Sequence, residues 1–396
     1  MRAEDRGEGG HDAYFAGLEG ALKRAGIAEP TLVVDRSRLD ANVETVRAAL
    51  SPTGLALRIV TKSLPAPGLL DAVLRGAGTR RLMVFNAVML EEIAVFLPGA
   101  DVLLGRPLPA VQVAAFVRDH AGDTACAANP QWLVDSLRRL AQYAEIARAL
   151  AAPMRINLEI DVGLHRGGFA DEQSLAAALD QVMAEPLIEI AGLMGYDPHA
   201  VGARSPAVEV EAVMARYAKA RAVLAVSLGR DPAGLTLNTA GSQTYALHLG
   251  DTVANELAVG SAFVKPSHFD LPTLGAHVPA AFIAQPVLKA VDPALIPRLE
   301  APAGELEALD PNTRRGFFLY GGYGDARPVS PPGLRFSPLY GGRAMLTGSA
   351  RVELDQDDFV FMRPTESEGV FLQFGDIAVY DGAEITQRWP TFKVAA

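Results

Sequence analysis

Leu55-Ala56-Leu57-Arg58-Ile59-Val60-Thr61-Lys62 is an apolar run closed by a lysine. Its length and composition predict a buried strand. The lysine stands out, because the chain carries 30 Arg and only 6 Lys. A lysine at the end of a buried strand is costly unless it is neutral, paired or covalently used. The use that arginine cannot serve is a Schiff base with a carbonyl, since the amine must lose its proton to attack. The alternative is an ammonium that snorkels from the strand end to solvent.

Outward from that strand the same pattern repeats. Strands are predicted at 55–62, 81–86, 101–105, 123–127, 154–161, 187–194, 235–238 and 254–258, with helices at 66–76, 88–97, 131–151, 172–184 and 206–228 between them. Eight strands alternating with helices give the count of a closed (β/α)8 TIM barrel, an α/β fold. An open doubly wound sheet is the alternative, but no Gly-x-Gly-x-x-Gly follows the first strand. Upstream, 12–25 reads as an amphipathic helix bearing Tyr14, Phe15, Leu18 and Leu22, followed by a strand at Thr31–Asp35 and a helix at 38–50. After Phe263 the rhythm changes to Pro-rich loops and strand-like runs at 277–290, 315–321, 343–354, 358–363 and 369–380. This predicts a second, mostly β domain. The expected layout is a lead-in over 1–54, whose strand is a candidate to join the β domain, a barrel over 55–265 and a C-terminal β domain over 266–396.

Composition narrows the class. A chain of 396 residues, 49% hydrophobic, can bury a large core and suggests about two domains. A net charge of −10 argues against nucleic acid as a partner. The single cysteine, Cys126, allows no internal disulfide and reads as a small buried residue rather than a nucleophile. Met1–Gly10 lacks the apolar core of a signal peptide, and no stretch approaches a transmembrane span. A cytoplasmic protein with no membrane partner is expected.

A barrel predicts chemistry just after the strand C-termini, with a phosphate site after the last two strands. Lys62 ends the first strand. Glu159-Ile160-Asp161-Val162-Gly163-Leu164-His165-Arg166-Gly167-Gly168-Phe169 follows the fifth, and Gly195-Tyr196-Asp197-Pro198-His199 the sixth. Asn238-Thr239-Ala240-Gly241-Ser242-Gln243-Thr244 follows the seventh, and Val259-Gly260-Ser261-Ala262 the eighth. The last two loops are small and hydroxyl-rich, so their backbone N–H groups can wrap a phosphate. Either loop alone could be a plain turn. A buried lysine, a phosphate cradle and an arginine in one mouth together suggest pyridoxal 5′-phosphate.

At these residues the chain resembles the fold-type III pyridoxal-phosphate enzymes, which include alanine racemase and the D-threonine aldolase and D-serine dehydratase group. The resemblance covers most of the chain. Pro30-Thr31-Leu32-Val33-Val34-Asp35 to Leu39-Asp40-Ala41-Asn42 is similar to the family's opening strand and helix, and Arg58 to Lys62 to the segment that carries the Schiff-base lysine. Ile160-Asp161-x-Gly-x-x-Arg166-x-Gly168-Phe169 is similar to the alanine racemase loop whose Arg contacts the cofactor phenolate. Gly192-Leu193 with Tyr196 and His199 resembles the motif beside the pyridine ring, and Glu256-Leu257 with Gly260-Ser261 the phosphate loop. The resemblance therefore implies Lys62 and His199 as catalytic residues. It implies Lys62, Arg166, Tyr196, His199, Gly260 and Ser261 as cofactor-binding residues, to which the barrel-position reading of the loop after the seventh strand adds Asn238, Thr239, Gly241 and Ser242. His199 is open between ring stacking and base, and Glu256 between an ion pair and the pyridine nitrogen. A homodimer is implied on the same ground.

The chain also departs from the metal-dependent relatives. Those place a His two residues after the Arg of the lysine segment, where this chain has Val60, and carry a C-terminal metal pair at positions held here by Glu384 and Thr386. One carboxylate and one hydroxyl make a poor site for a borderline metal, so no metal is expected. A protein base must then assist aldol cleavage, the candidates being His199, Tyr320, Tyr323 and Tyr340. The leading reading is a lyase acting on a β-hydroxy-α-amino acid, D-configured by resemblance, by retro-aldol cleavage. The alternatives are a dehydratase or deaminase, an amino-acid racemase, a non-catalytic pyridoxal-phosphate protein, and a barrel that binds a sugar phosphate.

Overall fold

The computed structural model describes residues 3–120, 130–294, 307–321, 325–337 and 344–393. Cys126, Tyr323, Tyr340 and the strand expected at 123–127 lie outside the described residues. The chain divides into two compact units. One comprises Val43–Phe263, Leu271–Ala276 and Phe392–Ala396, and the other Met1–Asn42, Val264–Asp270 and His277–Thr391.

In chain order, α1 (Ala13–Arg24), β1 (Thr31–Asp35) and α2 (Arg36–Leu50) come first. Alternating strands and helices follow: β2 (Ala56–Val60), α3 (Pro67–Ala77), β3 (Arg81–Val84), α4 (Ala87–Phe96), β4 (Asp101–Leu104), α5 (Ala110–Asp119), β5 (Gln131–Val134), α6 (Leu137–Leu150), β6 (Met154–Glu159), α7 (Glu172–Ala184), β7 (Ile188–Gly195), α8 (Pro206–Leu228), β8 (Thr236–Thr239) and β9 (Glu256–Val259). Strands β2 to β9 close into a parallel barrel, β2 pairing β9 with Arg58 opposite Ala258. This is the expected TIM barrel, with two corrections. The strand between β4 and β6 is Gln131–Val134, which the sequence pattern had absorbed into the helix at 131–151. Asp135-Ser136 ends it, and the Ser136 hydroxyl accepts from the Arg139 N–H to start α6 at Leu137. The strand expected to end at Lys62 stops at Val60, and Lys62 sits in a 3-10 turn, Thr61–Ser63.

The barrel interior is unusually polar. Such barrels are ordinarily filled by branched apolar side chains. Here Arg58, Gln131, Asn157, Asn238 and Glu256 are all buried within the strands. Glu256 accepts from Arg58 Nε at 2.5 Å and Nη2 at 2.9 Å, from Arg81 Nη1 at 2.8 Å and from Asn238 Nδ2 at 2.8 Å. Arg58 also donates to the carbonyls of Leu82 and Asp101. Burial alone would pull the guanidinium of Arg58 down, but the carboxylates of Glu256 and Asp101 hold its pKa above the ordinary value.

The other unit is built on a nine-stranded sheet. Its later strands are β10 (Ala281–Val291), β11 (Arg315–Leu319), β12 (Ala326–Ser330), β13 (Arg335–Phe336), β14 (Met345–Gly348), β15 (Phe359–Pro364), β16 (Ile377–Tyr380) and β17 (Ile385–Trp389). Strand β1 lies inside this sheet, antiparallel to β10 and parallel to β16. Helix α1 buries Leu18 and Leu22 in a cluster with Val33, Phe359, Phe361 and Tyr380, and its Phe15 ring stacks on Phe361 at 5.0 Å. Among the described residues, no helix is long and apolar enough to cross a membrane.

Candidate functional site

The C-terminal ends of the barrel strands gather the candidate residues. Thr61 opens the turn after β2, its hydroxyl donating to the Met83 carbonyl at 2.9 Å. That contact fixes the turn, and Lys62 extends its ammonium over the ring of Phe85, 4.5 Å from the centroid. The lysine is half-buried rather than splayed into solvent. Ser63, the next residue, is buried, and its hydroxyl meets that of Ser261 at 3.1 Å.

Ser261 belongs to the loop after β9, where a cradle of donors forms. The N–H groups of Gly260 and Ala262 both donate to the Ser242 hydroxyl, at 2.9 and 3.1 Å. Two backbone donors aimed at one oxygen are the arrangement a phosphate oxygen takes in a backbone nest. Gly260 is required by close approach. A Cβ there would lie 2.7 Å from Val60 Cβ and 2.8 Å from Ser63 Oγ. These donors and hydroxyls fit an anionic phosphate, and Lys62 on the adjoining turn fits the reactive carbon of pyridoxal phosphate.

The loop after β6 carries Arg166. Asp161 organises it, accepting from the N–H groups of Gly163 at 2.9 Å and His165 at 3.0 Å and from the His165 ring. Burial raises the Asp161 pKa, but these bonds more than offset it and leave the net value lowered. The guanidinium of Arg166 lies over the Tyr196 ring at 5.1 Å and stands 4.0 Å from Glu159. Burial pushes the Glu159 carboxyl up, against the pull of Arg166 and with a further push from Asp135. Tyr196 in turn packs on Gly241, where a Cβ would come within 2.6 Å of its ring. Among the described residues no hydrogen bond reaches either ring nitrogen of His199, and Glu209 of α8 stands 3.6 Å from its Nε2.

The structure thus ties the Lys62 turn to Ser261 through Ser63, sets Ser242 against the N–H groups of Gly260 and Ala262, and joins Arg166, Tyr196 and Gly241. It commits two expected cradle residues elsewhere. Asn238 donates to Glu256 inside the barrel, and the Thr239 hydroxyl donates to the Gly195 carbonyl at 2.9 Å. The Glu256 carboxylate is occupied by Arg58, Arg81 and Asn238. Tyr320 is 58% exposed at the end of β11. Sequence reasoning missed Ser63, the Ala262 N–H, Glu159 as a site carboxyl, and Glu209. It also missed Arg216, which holds the Arg166 loop by donating to the Val162 carbonyl at 2.8 Å. The Thr386 hydroxyl lies against the Val379 carbonyl. Among the described residues, no three His, Cys, Asp or Glu side chains gather as metal ligands would.

Comparison with known proteins identifies the family and the fold. The model of the alanine racemase N-terminal domain matches residues 34–267, more than half of the chain. An alanine racemase of Limosilactobacillus fermentum is 27% identical over 240 residues, 60% of this chain and 60% of that protein. The chain thus aligns with about three fifths of the length of that curated relative. The structure of D-threonine aldolase from Filomicrobium marinum is similar with a TM-score of 0.73 at 17% identity, covering 91% of this chain and 94% of that one. D-threo-3-hydroxyaspartate dehydratase from Delftia sp. HT23 gives 0.65 at 17% identity over 92% and 97%. Alanine racemase from Clostridium difficile 630 gives 0.69 at 14% over 92% and 99%. At these identities the structural likeness shows the fold.

Proposed function

The chain belongs to the alanine racemase N-terminal domain family, and from that premise we propose that it is a pyridoxal-phosphate-dependent lyase acting on D-configured β-hydroxy-α-amino acids. The observation that carries the reading is the contact between the Lys62 turn and the cradle, made by Ser63 and Ser261 at 3.1 Å. It ties the turn that carries Lys62 to a phosphate-type nest, which supports reading the two as parts of one site. Retro-aldol cleavage is the leading reaction. The D configuration rests on the likeness to D-threonine aldolase and D-threo-3-hydroxyaspartate dehydratase.

Lys62 would hold the cofactor covalently, while the N–H groups of Gly260 and Ala262 would exchange the Ser242 hydroxyl for its phosphate, with Ser261 and the displaced Ser242 hydroxyl donating to the same group. When bound, the cofactor draws electrons from the substrate α-carbon through its pyridine ring. Arg166 would place its charge at the ring oxygen, and Tyr196 would support the ring from the Gly241 side. His199 would accept the β-hydroxyl proton as the Cα–Cβ bond breaks and the aldehyde leaves, and a proton then returned to Cα would give glycine. Glu209, near Nε2, favours a proton on that nitrogen and leaves Nδ1 as the acceptor.

The test begins with spectroscopy. Wild type incubated with pyridoxal phosphate and desalted is expected to keep a visible absorbance band, and borohydride is expected to fix the label on Lys62. Lys62→Ala is expected to show neither. D-β-hydroxy amino acids are then screened for aldehyde, for ammonia with 2-oxo acid, and for inversion at Cα, which separates aldolase, dehydratase and racemase. A wild type without the band refutes the cofactor assignment. A band with no turnover of any kind supports a non-catalytic carrier.

A further inference from the structure

We infer that Asp197 is a positioning residue, a buried clamp that locks the loop bearing Tyr196 and His199 to the loop bearing Gly241 and Ser242. The inference rests on the cofactor reading above and extends it to a residue that touches neither cofactor nor substrate. Asp197 is fully buried at the start of the 3-10 turn Pro198–Gly202, yet its side chain does not cap that turn. It reaches to the neighbouring loop instead. Oδ1 accepts from the Thr244 hydroxyl at 2.7 Å, and Oδ2 lies 2.6 Å from His248 Nε2. Thr244 and His248 are buried as well.

The direction of these bonds follows from the donors. The Gly241 N–H donates to the Thr244 hydroxyl at 3.1 Å, so that hydroxyl must give its own proton to Asp197. One relay therefore runs from the Gly241 backbone through Thr244 to the carboxylate. It holds a turn that needs holding. Ala240, just before Gly241, sits at φ 63°, a left-handed conformation that an alanine adopts only when its surroundings impose it. Gly241 is also where the Tyr196 ring packs, and Tyr196 carries Arg166 over its face. A buried carboxylate left without partners is expensive, so once Thr244 and His248 satisfy it the two loops have one mutual arrangement. The cradle serine and the ring-supporting tyrosine would thereby be fixed relative to each other before any ligand arrives.

The experiment has two arms. In the first, amide hydrogen exchange is measured on full-length apo protein. Asp197→Ala and Thr244→Val are expected to speed exchange over 240–248 by at least about tenfold, while Thr244→Ser stays near wild type. Asp197→Asn is expected to fall between wild type and Asp197→Ala, because its oxygen keeps the Thr244 bond while donation to His248 Nε2 moves the ring proton to Nδ1, which is buried and has no hydrogen-bond partner among the described residues. In the second, pyridoxal-phosphate dissociation is followed by absorbance. The same two variants are expected to release cofactor at least about tenfold faster, with the serine variant close to wild type and the asparagine variant between. Should Asp197→Ala not fold, the Val and Ser pair at Thr244 carries both arms. Exchange at the wild-type rate in Thr244→Val overturns the clamp. Faster exchange with unchanged cofactor release reduces it to a structural contact and overturns the positioning role. A wild type that holds no pyridoxal phosphate sinks the cofactor reading and the positioning role with it, and the exchange arm alone then decides whether the loops are clamped.

Discussion

Replacing Glu256 by Gln tests whether the polar interior of the barrel is a compensated charge cluster. The carboxylate is buried and receives four hydrogen bonds, two from the fully buried Arg58. The amide of Gln offers one acceptor oxygen and two unwanted donors, so at least one arginine N–H then faces another N–H. Among the described residues Arg58 then keeps only Asp101 as an ionic partner, and the Asp101 side chain is 39% exposed. Removing one member of a buried pair costs about 3–5 kcal/mol. In a barrel of this size each kcal/mol lowers the midpoint of thermal unfolding by about 2–4 °C, so the expected fall is roughly 6–20 °C. Calorimetry near neutral pH reads it directly. A variant that melts within about 1 °C of wild type, well under the expected shift, would refute the claim that Glu256 neutralises Arg58.

Three shorter predictions accompany it. Gly260→Ala must push a Cβ into Val60 and Ser63, so phosphate and pyridoxal-phosphate affinity should drop at least about tenfold. Gly202→Ala, where a Cβ meets nothing within 4 Å, is the control and should leave both unchanged. Glu159→Gln should raise thermal stability at pH 8, with the gain shrinking toward pH 5. Its carboxyl is raised by burial, so the folded state binds the proton more tightly and stability falls as pH climbs from the unfolded value of 4.5 through the raised one. A gain that grows on acidification reverses that sign. A homodimer predicts a solution mass of twice the 41.9 kDa chain by light scattering, and a single-chain mass at micromolar concentration counts against it.

The barrel was legible because its strands alternate with helices whose apolar faces repeat at helical spacing. The segment at 131–134 escaped because its short apolar run joins the next helical pattern with only Asp135-Ser136 to mark the boundary. Lys62 and Gly260-Ser261 could be picked out because barrel topology alone places them at one mouth. Their mutual contact could not, since Ser63 and Ser261 are 198 residues apart and no local pattern encodes the pairing. Asn238 was misplaced for a related reason. It stands on a strand rather than in the loop, and the alternation of strand faces sends it into the barrel toward Glu256. The Asp197 contacts to Thr244 and His248 likewise depend on how two loops meet, 47 and 51 residues apart.

The placement of the Glu256 contacts bears on why charge is buried here at all. Branched apolar side chains would fill the same interior without desolvating ions. Glu256, however, bonds residues on β2, β3 and β8, and itself lies on β9. Those strands lead to Lys62, to the Phe85 ring beneath it, to Gly241-Ser242 and to Gly260-Ser261. One carboxylate therefore links the strands that present the amine and the cradle. If register is what the charges supply, Arg58→Met combined with Glu256→Leu should separate stability from binding. The double variant should melt above Glu256→Gln, because no unpaired guanidinium remains buried, and the two changes should be non-additive by about 0.5–3 kcal/mol. It should still bind inorganic phosphate more weakly than wild type, since apolar contacts tolerate small slips between strands that directional bonds do not. A double variant that binds phosphate as tightly as wild type would leave the buried pair with no role in the site.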